Sequence, residues 1–210
     1  MSLPIPRNVA IQSSSRNLTI YFFTDEEVAK ILNAIQERAV EDRRQAAYHK
    51  RYFLLARVLL RTGARISEAL MLKPTDINLA TNTIRLRTLK QGSDKNGVQR
   101  VKYRTIPLHP DLRDAYMQYL LEFNISQKGE NLLFPMKRQP VDRYFKGMEP
   151  EMGIKIYAHK FRHTFGVKAM MDNVPLNVVQ QWMGHSSIFT TSIYLQITGL
   201  DTSQFMERVR

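Results

Sequence analysis

The stretch HKFRHTF, residues 159–165, holds the most informative spacing of polar residues in the chain. Residues three and four apart lie on neighbouring turns of one helix face, so His159 faces the same way as Arg162 and His163. Two histidines at this spacing can bind zinc, but the 210-residue sequence has no cysteine and no HExxH glutamate beside them, and we expect no metal site. An imidazole and a guanidinium on one helix face favour an anionic ligand instead.

Three other stretches place polar residues in unusual positions. They are TGARISE (62–68), TLKQG (88–92) and GHSSIFTTSIY (184–194). Each has an ordinary explanation when it is taken alone. Arg65 is then a helix-terminal arginine paired with Glu68, and Lys90 is a solvated lysine beside a turn. Tyr194 is then a packed aromatic residue whose hydroxyl has a hydrogen-bond partner.

Taken together, these residues are suited to holding and cleaving a phosphodiester without a metal ion. The guanidinium groups of Arg65 and Arg162 match the non-bridging oxygens and offset the charge that develops in the transition state. Histidines such as His159 and His185 can move a proton near neutral pH. The Tyr194 phenol, with an ordinary pKa of about 10, can act as a nucleophile, and a lysine can protonate the leaving oxygen. No glycine-rich nucleotide-binding motif and no acidic cluster accompanies them, so we expect neither ATP nor any cofactor.

The positive charge of the chain is concentrated in one window. The formal net charge is +12, and residues 43–104 contain 15 lysines and arginines against 3 acidic residues, so this window alone carries the excess. Such a field favours DNA or RNA as a partner, although a solvated basic face gives the same count. The sequence contains no membrane-length apolar run, no signal-peptide pattern and no cysteine, which favours a cytoplasmic protein that does not contact a membrane.

Hydrophobic periodicity predicts a mainly α-helical protein with a small antiparallel β-sheet, an α+β fold. Thr24 and Glu27 form the pattern of a capping box, which begins a first helix. A second helix is predicted over 46–62 and ends at Gly63. Its inward face is expected to comprise Tyr48, Tyr52, Leu55 and Leu59. A short third helix follows and ends before Pro74.

A β-hairpin is predicted next, because apolar and basic residues alternate on both sides of a turn sequence. The two arms lie within 84–89 and 100–105, and the turn lies within 91–97. The inner face is expected to consist of Ile84, Leu86, Thr88, Val101, Tyr103 and Thr105. The outer face is then basic, with Arg85, Arg87, Arg100, Lys102 and Arg104.

The C-terminal half is predicted to be helical again. A helix begins at Pro110, a loop over 130–140 is anchored by apolar residues, and one or two helical turns lie within 141–148. Three or four short helices then occupy 159–208 and are broken at three positions. These are Pro175, Gly184 and Gly199.

The four motifs also match a known family as a set. TGARISE, TLKQG, HKFRHTF and MGHSSIFTTSIY resemble, in order, spacing and local context, the signature motifs of the tyrosine recombinase (phage integrase) family. The resemblance extends from Phe23 to Tyr194, and HKFRHTF followed by GHSS and a tyrosine nine residues after the histidine is a specific combination. It implies the catalytic-domain fold of that family and a site-specific DNA recombinase, active in integration, resolution or inversion.

The resemblance implies a role for each matched residue. Tyr194 would attack the scissile phosphate, form a 3′-phosphotyrosyl link and release a 5′-hydroxyl. Arg65 and Arg162 would clamp the phosphate. His159 would accept or relay the tyrosine proton, and His185 would contact the phosphate.

Three further roles follow from the same resemblance. Lys90 would be the general acid for the leaving 5′-oxygen, although Lys95 in the same hairpin is an alternative. Lys90 is favoured because TLKQG lies where the first strand ends, about 25 residues after Arg65. Glu68 would support the site, and His163 would be structural.

Double-stranded DNA is the implied partner, with a tetramer on two DNA sites as the active assembly and a monomer as the state of the isolated chain. The basic residues expected to contact DNA are Arg61, Arg85, Arg87, Lys95, Arg100, Lys102 and Arg104. Two alternatives remain open. One is a DNA-binding regulator that keeps the fold without cleaving, and the other is relaxation of DNA in the manner of a type IB topoisomerase.

The resemblance also divides the chain into three parts. Residues 1–20, with two prolines and the polar run SSSRN, are expected to be an arm or the remnant of an interdomain linker. Residues 21–196 are the expected catalytic domain, and 197–210 are a tail that exchanges between protomers or packs on its own chain. Since family members usually carry an N-terminal core-binding domain, we favour a catalytic fragment over a short single-domain member similar to fimbrial invertases. In either case DNA binding is expected to be weak and sensitive to salt.

Overall fold

The computed structural model describes residues 8–13, 16–88 and 102–195. The α-helices within these residues are α1 Asp25–Glu41, α2 Ala46–Thr62, α3 Ile66–Ala69, α4 Pro110–Glu122, α5 Arg138–Met152, α6 Ala158–Met171, α7 Leu176–Met183 and α8 Phe189–Ser192. The strands are β1 Asn8–Ser13, β2 Arg16–Tyr21, β3 Ile77–Asn78, β4 Thr83–Thr88 and β5 Lys102–Pro107, and a 3₁₀ turn spans Pro74–Asp76. Strands β3, β4 and β5 form one antiparallel sheet in that order. The predicted class, mainly α with a small antiparallel sheet, is confirmed.

Helix α1 begins where the sequence predicts, and helix α2 both begins and ends there. The Thr24 hydroxyl accepts a hydrogen bond from the Glu27 amide, and the Glu27 carboxylate accepts one from the Thr24 amide, both at 3.2 Å. Helix α2 ends at Gly63, whose φ of +59° is favourable only for glycine. Tyr52, like Leu55 and Leu59, is fully buried in α2, but Tyr48 is 38% exposed and its predicted inward position is wrong. Its hydroxyl lies at the rim of the core and accepts a hydrogen bond from the Tyr52 hydroxyl.

The hairpin of β4 and β5 forms as predicted, but the alternation of β5 is opposite to the expected one. Ile84 lies opposite Ile106, and Leu86 lies opposite Arg104. Arg104 is therefore on the inner face, where it is only 8% exposed, while Tyr103 is 54% exposed. The inward position is possible because a buried carboxylate neutralises the guanidinium, as the site shows below. The turn sequence 91–97 lies outside the described residues.

Helix α5 is longer than the one or two turns predicted. It runs for 15 residues, and Val141, Tyr144, Phe145 and Met148 form a continuous buried stripe along it. Prolines in the sequence argue against such a helix, yet Pro140 lies in the first turn and Pro150 in the last. In the first turn the amide that proline lacks has no intrahelical partner in any case. Helix α4 agrees with the prediction. So does the apolar anchor of the loop between α4 and α5, which is formed by Leu133 and Phe134.

Strands β1 and β2 pair as an antiparallel hairpin, with Val9 opposite Ile20. The prolines and the polar run SSSRN predict an arm without regular structure, so these strands are additional to the prediction. Ile20 and Phe22 are buried in a second, smaller core with the apolar residues of α6 and α7. The Phe23 amide donates a hydrogen bond to the Thr164 hydroxyl at 2.9 Å, which fixes the segment between β2 and α1 against α6. The assignment of 1–20 as a linker remnant stays a prediction.

Helices α6, α7 and α8 account for the short C-terminal helices that were predicted. Pro175 is the N-terminal cap of α7, and Gly184 with φ +64° ends it, so both predicted breaks are confirmed. Gly199 and the tail 197–210 lie outside the described residues. Helix α6 packs against α2, and the larger core lies on that side of it. Among the described helices none is long and apolar enough to span a membrane.

Candidate active site

Arg162 on α6 is the most buried basic residue of the site, with an exposed fraction of 2%. One terminal nitrogen donates to the Gly63 carbonyl at the end of α2, and the other donates to the Met183 carbonyl at the end of α7, the latter at 2.8 Å. Carbonyls at helix C-termini lack intrahelical donors and carry partial negative charge, so they stabilise a buried cation. Burial and the nearby Arg65 lower the pKa of Arg162 to about 10, and it stays charged at neutral pH.

Glu68 lies between two arginines and is fully buried. Its carboxylate accepts hydrogen bonds from the Arg65 amide and the Arg65 guanidinium, both at 3.0 Å, and from Arg104 at 2.6 Å. Burial acts to raise the pKa of Glu68, but the hydrogen bond and charge of Arg104 and the contacts of Arg65 outweigh it and lower that pKa. Glu68 therefore supports the site as an ionised carboxylate and fixes the backbone and side chain of Arg65.

Arg104 continues this network towards the other end of the site. Its Nε atom donates to the Trp182 carbonyl at 2.7 Å, and a terminal nitrogen donates to the Thr88 hydroxyl at 3.2 Å. The predicted outward-facing position of Arg104, on which its assignment to the DNA-binding set rested, is wrong, because internal hydrogen-bond partners occupy its guanidinium. It instead connects Glu68 with the end of α7, two residues before Gly184.

His185 directly follows the left-handed glycine that ends α7. A Cβ atom at Gly184 would lie 3.1 Å from the Arg104 side chain, so this turn passes close over the arginine. The His185 imidazole is hydrogen-bonded to the Thr191 hydroxyl at 2.8 Å. Burial, followed by the charges of Arg162 and Arg65, lowers the pKa of His185 to about 3, so the ring is neutral at physiological pH.

Tyr194 packs against α6 of its own chain and lies one residue before the end of the described segment. It is 1% exposed and packs in the smaller core, with its ring directly over Gly166 of α6, where a Cβ atom would lie 2.6 Å from the ring. Its hydroxyl lies 3.1 Å from Nδ1 of His163. Burial raises the pKa of Tyr194 to about 12, although the charges of Arg162 and Arg65 act in the opposite direction.

A cleft of about 150 Å³ opens beside these residues. Its lining consists of Ala64, Arg65, Ile66, Ser67, Arg138, Ala158, His159 and Arg162. Three guanidinium groups therefore face one small volume. Burial and then the charges of these arginines, that of Arg162 first, lower the pKa of His159. A cleft with this lining is suited to a phosphate group.

Three residues of the site differ from the sequence-based expectation. Arg138 was not predicted, because the pattern does not place the start of a long helix at this position. His163, expected to be structural, contacts the Tyr194 hydroxyl, whereas His159, expected to take the tyrosine proton, lies in the cleft. The two imidazole rings stand edge to face with centroids 4.3 Å apart.

The remaining predicted residues fall into two groups. Lys90, Lys95 and Arg100 lie outside the described residues. Of the others, Arg61 pairs with Asp111, Arg85 pairs with Asp76 at 3.1 Å, Arg87 is half-buried and Lys102 is exposed. No group of three or more histidine and carboxylate side chains suited to a metal ion is found in the described ranges.

Solved structures define the class to which this fold belongs. The catalytic domain of bacteriophage HP1 integrase matches with a TM-score of 0.60 at 19% identity and covers 90% of this chain and 94% of that one. A XerA recombinase structure matches with a TM-score of 0.63 at 24% identity, covering 89% of this chain and 63% of that one. A XerH site-specific recombinase bound to difH substrate gives 0.63 at 24% identity, covering 83% and 49%. The fold is that of a tyrosine recombinase catalytic domain.

The sequence comparison leads from the class to the family. The profile of the phage integrase family matches residues 21–199, and the chain belongs to this family. It is 29% identical over 194 residues to tyrosine recombinase XerA of Pyrococcus furiosus, covering 88% of this chain and 60% of that protein. It is 29% identical over 163 residues to the TnP I resolvase of Bacillus thuringiensis, covering 76% and 54%. The chain thus spans between about half and three-fifths of the length of these relatives.

Proposed function

We propose that this domain cuts and rejoins DNA strands in site-specific recombination, with Tyr194 as the nucleophile. The observation that carries the proposal is the docking of the Tyr194 hydroxyl on α6, within the field of Arg162 and Arg65. A tyrosine that only filled the core would not require two arginines whose charges act on its hydroxyl. Membership of the phage integrase family, with relatives named as recombinases and a resolvase, supports the same function.

The cleft beside α6 is the proposed position of the scissile phosphate. The guanidinium of Arg162 has five N–H donors, and its contacts with two helix-end carbonyls hold the plane of the group while leaving other donors for a phosphate. Arg65 also lines the cleft and is 27% exposed at the side chain, so it is accessible to the same phosphate. His159 and Arg138 complete the lining, and neutral His185 is the further proposed phosphate contact.

The proposed reaction exchanges one phosphoester for another. The Tyr194 oxygen forms a bond to phosphorus as the bond from phosphorus to the 5′-oxygen breaks, which gives a 3′-phosphotyrosyl link and a free 5′-hydroxyl. The phenolic proton passes to His159, the proposed acceptor or relay, and the 5′-oxygen gains a proton from a general acid, for which Lys90 is the proposed residue. Since one ester replaces another, rejoining by a new 5′-hydroxyl needs no nucleotide cofactor.

Double-stranded DNA and a tetrameric assembly on two sites are part of this proposal. The excess of positive charge in 43–104 supports a DNA partner, as does the solved XerH recombinase, which is bound to its difH substrate. Within the described ranges Arg61, Arg85 and Arg104 of the predicted DNA-binding set pair with carboxylates, whereas Arg87 and Lys102 on the hairpin have no acidic partner. Their charges are therefore available for backbone phosphates.

Covalent capture of DNA tests the proposed function. A duplex bound by the chain is first selected from a randomised pool, and a nick is then placed beside the cleaved position so that the released strand diffuses away. We expect a covalent protein–DNA adduct that Tyr194→Phe abolishes while its affinity for the duplex stays unchanged.

Two outcomes would assign a different function. Tight binding of the selected duplex without any adduct from the unmodified chain would indicate a DNA-binding regulator. Relaxation of supercoiled plasmids of any sequence by the monomer would indicate a topoisomerase.

A further inference from the structure

The two histidines of HKFRHTF face different parts of the site although they lie one helical turn apart. His159 lines the phosphate cleft with Arg65 and Arg162. His163 lies beyond that lining, and its ring meets the ring of Tyr194 with centroids 5.9 Å apart. The resemblance to the family gives His163 no role in the reaction, so its contact with the nucleophile calls for a separate explanation.

The contact between His163 and Tyr194 is specific. Nδ1 of His163 lies 3.1 Å from the Tyr194 hydroxyl, and within the described part of the chain no second hydrogen-bond partner of this hydroxyl is found. Tyr194 is 1% exposed, so the acceptor for its hydroxyl proton must be a protein group rather than bulk water. His163 is the group in a position to do so.

The direction of this hydrogen bond follows from the protonation states. Burial and the charges of His159 and Arg162 lower the pKa of His163 to about 4, so the imidazole is neutral and one of its nitrogens accepts. The Tyr194 phenol, with its raised pKa, keeps its proton at neutral pH. If Nδ1 carried the hydrogen instead, the buried phenolic proton would have no acceptor among the described residues. The hydroxyl therefore donates to Nδ1.

We propose that His163 is the positioning residue of the nucleophile: its Nδ1 atom takes the hydrogen bond of the Tyr194 hydroxyl and turns the oxygen lone pairs towards the phosphate cleft. The contact itself does not depend on what the protein acts on, whereas its role in strand cleavage rests on the function proposed above.

Positioning, rather than removal of the proton in the resting state, is the role that the magnitudes support. The phenol has a pKa of about 12 and the imidazolium one of about 4. Transfer of the proton from the Tyr194 oxygen to the His163 ring is therefore unfavourable by about eight orders of magnitude in the equilibrium constant. A resident phenolate is therefore excluded as the purpose of the contact. What remains is control of geometry, because the close approach of Gly166 restricts the ring and His163 restricts the hydroxyl rotor.

The first test reads the hydrogen bond directly in the free protein. The chain contains nine tyrosines, which are labelled with carbon-13 at Cζ, and Tyr194→Phe identifies the Tyr194 resonance. In His163→Leu we expect this resonance to shift, whereas in His163→Asn, whose amide can occupy the Nδ1 position, it stays close to its original value. His159→Leu is the matched control, because it removes the neighbouring ring without removing the bond. An unchanged Tyr194 resonance in His163→Leu would overturn the proposal.

The second test measures strand cleavage in a single turnover on the nicked, selected duplex. For His163→Leu we expect the rate constant of adduct formation to fall about 100-fold while the dissociation constant for DNA stays within about twofold, since only the geometry of the nucleophile changes. His163→Asn should recover most of the rate, and His163→Gln, whose amide reaches the Nε2 position, should not. Equal losses in all three variants would show that His163 is needed only for folding and would contradict the proposal.

The two tests separate this inference from the proposed function. If the unmodified chain forms no adduct on any duplex, the recombinase function fails, while the carbon-13 experiment still decides whether His163 holds Tyr194. If adducts form and the Tyr194 resonance is insensitive to His163, the function stands and the positioning role fails. Thermal unfolding of each variant is measured alongside, and His163→Asn decides the outcome if His163→Leu does not fold.

Discussion

Glu68 is the residue on which the arrangement of charge depends. Its carboxylate is shared by Arg65 and Arg104, so one negative charge holds two guanidinium groups and leaves the site net positive. With both arginines in place, Arg65 is fixed without being fully neutralised. This is a physical reason for an acidic residue inside a site that must bind an anion.

Removing both partners of this buried pair should be less damaging than the two single removals added together. We expect Arg104→Met to lower the free energy of unfolding by about 3–5 kcal/mol, because it leaves a buried carboxylate with one partner fewer. In the double variant Glu68→Gln with Arg104→Met the loss should be smaller than the sum of the two single losses. Urea unfolding measures all three.

The exposed pair of Arg85 and Asp76 supplies the control for this prediction. The Arg85 side chain is 54% exposed, so Arg85→Met should change the free energy of unfolding by less than about 1 kcal/mol. Equal losses for Arg85→Met and Arg104→Met, or strict additivity in the double variant, would contradict the proposed role of Glu68.

The buried neutral histidines should make the protein sensitive to mild acid. His163 and His185 have pKa values of about 4 and about 3 in the folded state, against an ordinary value of 6.5 in the unfolded chain. Between pH 6.5 and about 4 the unfolded chain binds more protons, so stability falls as pH falls, by up to about 1.4 kcal/mol per pH unit for each histidine. Urea unfolding at several pH values measures this slope. It should be shallower in His163→Asn, and a slope unaffected by that substitution would show that His163 is not the titrating group.

At the scale of elements, the turn that ends α7 determines where His185 lies. Gly184 and Gly153 both have left-handed φ values, +64° and +67°, but only Gly184 has a close neighbour, since nothing lies within 4 Å of a Cβ at Gly153. Alanine should therefore cost about 1 kcal/mol of unfolding free energy at either position for the backbone conformation alone.

Only Gly184→Ala should also impair strand cleavage. Its methyl group would press on Arg104 and displace the adjacent His185, so we expect adduct formation to slow at least tenfold, while Gly153→Ala keeps the original rate. Single-turnover cleavage of the nicked duplex measures both variants. Equal rates would show that the close contact at Gly184 has no bearing on the site.

Local sequence patterns predict elements well where one signal dominates and poorly where tertiary contacts decide. The capping box at Thr24 and the left-handed Gly63 are local devices, and both are where the sequence predicts them. The inward turn of Arg104 is not local, because it depends on Glu68, which lies 36 residues away. An arginine in a strand looks like a surface residue until its buried partner is known.

The same distinction applies to the candidate site. Arg65, His159, Arg162 and Tyr194 are predictable because their residue types and spacing form a recognisable set, and the structure brings them together. The contact between His163 and Tyr194 is not predictable in this way, because residues 163 and 194 meet only through the packing of α6 with the segment after α8. At i, i+4 spacing either histidine can face the nucleophile, and the rotation of α6 decides between them.

At the scale of the whole molecule, the uneven charge predicts how DNA binding responds to salt. Binding constants should fall steeply with salt concentration, and neutralising one phosphate-contacting residue should reduce the slope of log K against log salt by about 0.9. We expect this reduction for Lys102→Gln, because Lys102 is exposed on the hairpin. Lys168→Gln removes the same charge near the other end of α6, beside Asp25, and should leave the slope unchanged. Equal slopes for the two variants would argue against the hairpin as a DNA contact.

The bonds of Arg162 have a consequence for the nascent chain during synthesis. Its two carbonyl partners lie 99 residues before it and 21 residues after it, so its guanidinium is fixed only when α2, α6 and α7 have met. A ribosome-bound or half-folded chain already contains α2 and the first motif but has no ordered anion site. The proposed DNA cleavage therefore becomes possible only after α7 has been synthesised and has docked against α6, late in the synthesis of the described residues.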